Sequence, residues 1–121
     1  MTERRKLYNK IHKVIRDYVI REYGNKCFVC GSVDCVIQGG HVIPAGASLN
    51  TRFMLNPINI LPQCRNCNKR HCTNQAPYIQ KYIERFGLEQ FEELTRQSRI
   101  VKQYKISDLR NLLAELSESL S

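Results

Sequence analysis

The sequence predicts a small α+β protein in which helices at both ends flank a cysteine-rich sheet region. Apolar residues recur at three- and four-residue intervals up to residue 23 and again after residue 77, as they do on amphipathic helices. Between these segments, two short apolar runs lie among Cys, Gly, Pro and Asn residues, which is typical of strands joined by turns. A chain of 121 residues has room for one compact domain.

The first predicted helix runs from about Thr2 to Tyr23, and Gly24 ends it. Its apolar stripe consists of Leu7, Ile11, Val14, Ile15, Tyr18 and Val19. The lysine and arginine residues, such as Arg4, Arg5, Lys10, Lys13 and Arg16, fall mostly on the other faces of the helix. We therefore expect a basic amphipathic helix, and we assign residues 1–26 to it.

The middle region, residues 27–76, predicts two brief strands. They cover residues 36–43 and 58–61, with a loop around residues 44–57 between them. The region beyond it, residues 77–121, predicts helices again. Pro77 suits a first helical turn, Gly87 ends that helix, and a second short helix follows with Leu88, Phe91 and Leu94.

A leucine-rich helix is predicted at the end of the chain, with Ser107 as its N-cap. Its stripe consists of Leu109, Leu112, Leu113, Leu116 and Leu120. So small a protein has little core left for this stripe. Docking on the first helix and docking on a second subunit, in a homodimer, are both open.

The charge of the chain favours a polyanionic partner. Nineteen Lys and Arg residues against eleven Asp and Glu residues give a net charge of +8. Residues 1–26 hold eight basic and three acidic residues, residues 27–76 hold four and one, and residues 77–121 hold seven of each. We expect nucleic acid to bind the first two regions. No apolar run is long enough to span a bilayer and no signal peptide is evident, so we expect a cytoplasmic protein.

The strongest motif is a pair of C-x2-C sequences, Cys27–Cys30 and Cys64–Cys67. Two such turns supply four thiolates, the ligand set of a tetrahedral structural zinc site. Gly31 suits the turn after the first pair because glycine adopts positive φ without strain. Disulfides or a redox pair are the alternatives. Cys35 and Cys72 are left over, and we expect them to be small buried apolar residues.

A second set of residues follows in a recognisable order. Gly40-His41 comes first, then Asn59 in the run Asn-Ile-Leu-Pro-Gln-Cys, then Cys67-Asn68 at a predicted helix start, with Arg52-Phe53 between. This order resembles the HNH (ββα-metal) endonucleases, and more specifically the NinG/Rap phage recombination family. The resemblance is good over residues 27–76 and looser over residues 27–121.

The resemblance implies a zinc-stapled ββα-metal core and a role for each residue of the motif. His41 would be the general base, Asn59 the residue that tethers its loop, and Asn68 a ligand of a catalytic Mg²⁺ or Mn²⁺. His71 shares a helix face with Asn68 and could complete that cation site. The implied activity is metal-dependent cleavage of DNA, with branched or recombination-intermediate DNA as the substrate.

The residue chemistry agrees with phosphodiester hydrolysis. A neutral imidazole can accept a proton from the attacking water near pH 7, and the two glycines before His41 let a phosphate approach. One position departs from the motif: many HNH enzymes carry an acidic residue or a second histidine before the base, and this chain has Gly40. Asp34 is the nearest carboxylate in the sequence.

Eight cations are candidates for holding DNA phosphates. They are Arg4, Arg5, Lys13, Arg16, Arg52, Arg65, Lys69 and Arg70. Two alternative functions stay open. One is a non-catalytic zinc-knuckle module that binds nucleic acid, which Gly40 favours. The other is a nicking or restriction-type endonuclease on the same fold.

Overall fold

The computed structural model describes residues 1–43, 55–100 and 104–120. Within these residues, five α-helices surround a two-stranded antiparallel sheet. The helices are α1 (Glu3–Tyr23), α2 (Arg65–His71), α3 (Ala76–Phe86), α4 (Leu88–Ser98) and α5 (Ile106–Ser119). The strands are β1 (Ile37–His41) and β2 (Ile60–Cys64), and a short 3-10 turn, Pro57–Asn59, leads into β2. The predicted combination of helices with a small sheet is confirmed.

Helix α1 starts and stops where its sequence signals predict. The Oγ1 atom of Thr2 accepts a hydrogen bond from the backbone N–H of Arg5 at 3.1 Å, which caps the first turn. At the other end, Gly24 takes a φ of 89° and its N–H donates to the carbonyl oxygen of Ile20. The buried residues of α1 all belong to the predicted apolar stripe, and they are Leu7, Ile11, Ile15 and Val19.

The second strand lies two to three residues later than the sequence predicts. The Oδ1 atom of Asn56 accepts from the N–H of Ile58 at 3.1 Å and starts a 3-10 turn, so Asn59 lies in that turn and not on the strand. Strand β2 then includes Pro62, a residue that strands usually exclude. The predicted second strand is present, but its bounds of 58–61 and the placement of Asn59 on it were wrong for these reasons.

The register of the sheet explains why Pro62 is tolerated. His41 pairs with Ile60, and Gly39 pairs with Pro62. One step beyond the strand, the N–H of Val42 donates to the carbonyl oxygen of Asn59 at 2.8 Å. Hydrogen-bonded pairs alternate along an antiparallel ladder, so the backbone groups of Gly39 and Pro62 point away from the partner strand. Pro62 therefore costs the ladder no hydrogen bond.

Other parts of the chain satisfy the outward-facing carbonyl groups. On the β1 edge, His12 Nε2 donates to the Gly39 oxygen at 3.1 Å, and Arg16 Nε donates to the Ile37 oxygen at 3.2 Å. On the β2 edge, the N–H of Phe28 donates to the Pro62 oxygen at 2.7 Å. Helix α1 and the first cysteine turn thus each cover one edge of the sheet.

The two faces of the sheet contact different helices. Gly39 faces α1 so closely that a Cβ on it would lie 3.3 Å from side-chain atoms of His12 and Arg16. On the other face, Leu61 packs with Tyr78 and Tyr82 of α3. Since side chains alternate along a strand, His41 shares the α1 face with Gly39.

The leucine-rich helix α5 docks on α1. Leu109 is fully buried in the same cluster as the apolar stripe of α1, and the other leucines of α5 pack against that cluster. The guanidinium group of Arg110 pairs with Glu3, which adds a polar link between the two helices. Of the two alternatives for the stripe, the structure shows docking on the first helix.

Helix α5 begins two residues earlier than predicted. Its first residue is Ile106, and Lys105 precedes it as the cap. The Oδ2 atom of Asp108 accepts from the N–H of Lys105 at 2.8 Å, so this carboxylate organises the first turn. The prediction of Ser107 as N-cap was wrong, because Ser107 lies inside the helix. Among the described residues, no helix is long and apolar enough to cross a membrane.

Candidate functional site

Four cysteines converge beside the sheet, as the paired motifs predict. The Sγ atoms of Cys27, Cys30, Cys64 and Cys67 all lie within 4.8 Å of one another. Cys30 Sγ and Cys64 Sγ are 3.8 Å apart. In a tetrahedron with zinc–sulfur bonds of about 2.3 Å, adjacent sulfur atoms are about 3.8 Å apart. The cluster can therefore hold a structural metal such as zinc.

Both cysteine turns have the geometry of metal-binding knuckles. In each turn the backbone N–H of the second cysteine points at the sulfur of the first, at 3.5 Å in Cys27–Cys30 and 3.4 Å in Cys64–Cys67. Gly31 adopts a φ of 76°, as predicted for the residue after the first pair. Such amide contacts stabilise thiolates, the form of cysteine that binds a metal.

The thiols of the cluster differ in their tendency to ionise. Burial opposes ionisation of Cys27, but hydrogen bonds around its sulfur, from the backbone of Cys30, Cys64 and Val29, outweigh it and lower its pKa to about 7. Burial and the neighbouring sulfur atoms raise the pKa of Cys67. Adjacent thiolates repel one another, so a cation that binds all four would bring the remaining thiols to the ionised form.

The two remaining cysteines lie outside this cluster, and the prediction that they are buried was wrong for Cys72. Cys72 is exposed at the end of α2. Cys35 is half-buried, and its thiol lies 3.5 Å from the hydroxyl group of Ser32. The burial expected of a lone cysteine depends on the local fold, and residue 72 follows a helix whose end faces solvent.

His41 is the last residue of β1, and its backbone neighbours are held from several sides. The hydroxyl group of Tyr78 donates to the Gly40 oxygen at 2.7 Å. His71 Nε2 contacts the Val42 oxygen at 2.6 Å and, since a carbonyl oxygen only accepts, carries the proton. The strand end that presents His41 is therefore fixed by α2 and α3 together.

Asn59 fixes the segment that follows His41. Its side chain is fully buried, its Oδ1 accepts from the N–H of Ile43 at 2.9 Å, and its Nδ2 donates to the Ile43 oxygen at 3.1 Å. A single amide thus satisfies both backbone groups of one residue. These contacts are those expected of a tether for the His41 segment.

His12 of α1 lies beside His41, and sequence reasoning did not identify it. The two imidazole rings have centroids 5.5 Å apart and planes inclined by 30°. Together they line a cleft of about 440 Å³, whose other lining residues are Arg5, Tyr8, Asn9, Lys13 and Arg16. The only sequence signal was that His12 lies four residues from both Tyr8 and Arg16, on one face of the predicted helix.

Asn68 and His71 lie on the opposite face of the sheet from His41. Asn68 Nδ2 donates to Gln38 Oε1 at 2.9 Å, and Gln38 alternates in direction with Gly39 and His41. His71 is buried, with Nδ1 lacking a hydrogen-bond partner among the described residues. The two predicted ligands thus lie on the same helix, α2, on the side of the sheet away from His41.

Gly40 has a structural reason to lack a side chain. A Cβ at this position would lie 1.9 Å from Gln63 Oε1 and 3.0 Å from Gln63 Cβ. Gln63 is itself fully buried, so it has little room to move. Gln63 therefore fills the space that a side chain at residue 40 would occupy.

The predicted phosphate-binding cations occupy three places. Arg5, Lys13 and Arg16 line the cleft beside His41. Arg4 donates to the Tyr104 oxygen at 2.7 Å, where α1 approaches α5. A third group is exposed on α2, and it consists of Arg65, Lys69 and Arg70. Arg52 and Phe53 lie outside the described residues, and Asp34 is exposed.

The fold and the site define a small helical protein with a two-stranded sheet and a four-cysteine cluster that could hold a metal. The family model described as "NinG: Bacteriophage Lambda NinG protein" matches residues 1–120. The chain therefore belongs to the NinG family. No curated protein and no solved structure gave a significant match.

Proposed function

We propose that this protein is a DNA endonuclease of the HNH type, with His41 as its general base. The observation that carries the proposal is the position of His41, at a strand end that opens into a cleft lined by Arg5, Lys13 and Arg16. The chain forms two antiparallel strands followed by a helix, with one cysteine pair before the first strand and the other where the second strand meets the helix. This arrangement also fits a zinc-stapled ββα-metal core. Zinc in the cysteine cluster would have a structural role, because four thiolates leave no open coordination position.

The residues present support hydrolysis of a phosphodiester. His41 would take a proton from a water molecule, whose oxygen attacks phosphorus in line and displaces the 3′ oxygen. The displaced oxygen would take a proton from solvent. The guanidinium groups of Arg5 and Arg16 and the ammonium group of Lys13 would hold the phosphates beside His41 without reading the bases.

A divalent cation, Mg²⁺ or Mn²⁺, is part of the proposal, with Asn68 and His71 as its candidate ligands. The amide of Asn68 donates to Gln38 and so leaves Oδ1 as its metal-binding atom. Both residues lie on the face of the sheet away from His41, and the nearest carboxylate in the sequence, Asp34, is exposed. Magnesium commonly keeps several waters and binds substrate phosphates directly, so a cation that stabilises negative charge on a phosphate beside His41 would be held by the phosphate and water rather than by Asn68 and His71.

The proposed substrate is branched DNA that arises in phage recombination. This part of the proposal rests on the resemblance to the NinG/Rap family and on membership of the NinG family. The exposed cations of α2 and the cleft-lining cations of α1 are on separate elements, which suits a substrate with more than one duplex arm. A homodimer that cuts a junction symmetrically is an extension of this proposal.

The proposal is tested by cleavage of supercoiled plasmid and of a four-way junction in the presence of Mg²⁺ or Mn²⁺. We expect the zinc-loaded protein to nick or cut, and His41→Ala to lose at least about a hundredfold in rate, in the range of general-base catalysis. Zinc content and DNA affinity should be unchanged in the variant. Full activity of His41→Ala would refute the assigned base.

A non-catalytic DNA-binding module is the second candidate, and the packing of Gln63 against Gly40 favours it. In that case the protein would bind junctions in a salt-dependent manner and never cut them with any divalent cation. A charge variant distinguishes DNA binding at the cleft from general attraction to a basic protein. Arg5→Ala should reduce the slope of the logarithm of the DNA-binding constant against the logarithm of salt concentration by about 1. Arg96→Ala, which removes a cation already paired with Glu93, is the matched control.

A further inference from the structure

We infer that His12 positions the ring of His41 for catalysis, and that helix α1 is therefore part of the nuclease site. This inference rests on the proposed function of His41. The juxtaposition that supports it is the 5.5 Å separation of the two ring centroids, with the planes inclined by only 30°. Aromatic rings at such distances are in favourable contact.

The ring of His12 is itself firmly held. Its Nε2 lies 3.1 Å from the Gly39 oxygen, and a carbonyl oxygen can only accept, so Nε2 carries a proton. The ring of Tyr8 also stacks with it, with the ring centroids 6.3 Å apart and an interplanar angle of 6°. Gly39 permits the close approach, since a Cβ there would lie 3.3 Å from His12 Cε1. His12 is thus a fixed support rather than a mobile side chain.

The charge of His12 also suits this role. Burial lowers its pKa, the hydrogen bond to Gly39 acts in the opposite direction, and the positive charge of Arg16 lowers the pKa further. The ring is therefore neutral near pH 7. A neutral ring can lie beside His41 without adding a further positive charge to a cleft that already contains Arg5, Lys13 and Arg16.

Two of the contacts around His41 fix the backbone on either side of it. Tyr78 and His71 bind the carbonyl groups on either side of it. Those bonds do not restrict rotation about the Cα–Cβ and Cβ–Cγ bonds of His41. The ring of His12 contacts the ring of His41 itself. Displacing a catalytic group by about 1 Å can cost about a hundredfold in rate, so the contact with His12 would act on catalysis through the orientation of the His41 ring.

The kinetic test compares two replacements of His12 in the full-length, zinc-loaded protein. His12→Ala removes the ring, and we expect kcat for plasmid nicking to fall tenfold or more while KM changes less than about twofold. His12→Phe restores a flat ring in contact with His41, and should recover at least a third of the lost rate. Lys10→Ala, at an exposed position that does not line the cleft, is the matched control.

A nuclear magnetic resonance measurement gives a readout that does not depend on activity. The chain has three histidines, so single variants assign all the imidazole signals. We expect a cross-relaxation signal between the ring protons of His12 and His41, and a changed His41 ring shift in His12→Ala. A general structural role would instead lower the thermal stability of the protein, and His12→Ala and His12→Phe would then give similar results.

The outcomes of these experiments separate the inference about His12 from the proposed nuclease function. If the wild type cuts DNA and His12→Ala keeps full kcat, the inference about His12 is overturned and the proposed nuclease function stands. The absence of a cross-relaxation signal between the two rings would overturn it in the same way. If the wild type cuts under no condition, the proposed function fails and this inference fails with it.

Discussion

The imidazole Nε2 of His71 donates a hydrogen bond to the carbonyl oxygen of Val42, at 2.6 Å. Both residues are buried, so this bond links helix α2 to the residue after His41 in a place that water does not reach. Replacing His71 with Ala would leave the Val42 oxygen without this donor. An unsatisfied buried acceptor costs about 1–3 kcal/mol.

We therefore predict that His71→Ala lowers the free energy of unfolding by about that amount, as measured by urea denaturation. Arg70→Ala, at the neighbouring exposed position of α2, should change it by less than about 0.5 kcal/mol. Equal effects of the two substitutions would contradict the assigned role of the His71–Val42 bond.

Gly40 and Gln63 should be energetically coupled. Gly40→Ala places a Cβ against the buried amide of Gln63, and overpacking of this kind costs about 1–3 kcal/mol. The smaller side chain of Gln63→Ala would make room, so the double variant should be more stable than the sum of the two single effects predicts. A double-mutant cycle measures this coupling. Additive effects would show that Gln63 does not exclude a side chain at residue 40.

The cysteine cluster should bind one zinc ion per chain and supply folding energy. Cys64→Ser is expected to lose zinc and to unfold the region around the sheet, which zinc analysis and circular dichroism would detect. Cys72→Ser removes an exposed thiol outside the cluster and should retain both zinc and structure. A folded, zinc-free Cys64→Ser protein would contradict the structural role of the metal.

The docking of α5 on α1 predicts a large effect of one leucine. Leu109 is fully buried, so Leu109→Ala should lower the free energy of unfolding by about 2–5 kcal/mol. Leu88→Ala is the matched control, because Leu88 is 55% exposed and its truncation should cost less than about 0.5 kcal/mol. Similar melting temperatures of the two variants would argue against the docked position of α5.

The buried position of His12 predicts an acid-sensitive contribution to stability. Its pKa in the folded protein is lower than in the unfolded chain, so the unfolded chain binds the proton more readily. Above pH 6.5, which is about the pKa of histidine in the unfolded chain, His12 costs no stability. As the pH falls below this pKa, protonation of His12 in the unfolded chain favours unfolding. Between pH 7 and pH 5, the wild type should lose more stability than His12→Phe. A larger loss of stability in His12→Phe than in the wild type would contradict the direction of the pKa shift of His12.

The helices and the cysteine cluster could be predicted because their signals are local. The stripe of α1, the cap at Thr2 and the stop at Gly24 lie within one turn of the features they determine. The two C-x2-C motifs carry their spacing in the sequence. Such signals need no knowledge of what lies across the fold, and the predicted helices and the cysteine cluster agree with the structure.

The features that could not be predicted depend on contacts between distant parts of the chain. His12 carries no motif, and its partner Gly39 lies 27 residues away. The start of β2 was misplaced because Asn56 and Asn59 use their side chains to form a turn and a tether. Similarly, Gly40 looks like a missing ligand in the sequence, and only packing shows that Gln63 occupies the space.

The covered edges of the sheet have a consequence for how the protein can associate. A two-stranded ribbon normally offers open backbone groups to which another strand can add, which is a route to aggregation. Here side chains of α1 bind carbonyl groups along β1, while Pro62 offers no N–H and its carbonyl oxygen is bound by Phe28. Strand addition is therefore disfavoured on both sides, and a binding partner is left to engage helices and side chains rather than the ribbon itself.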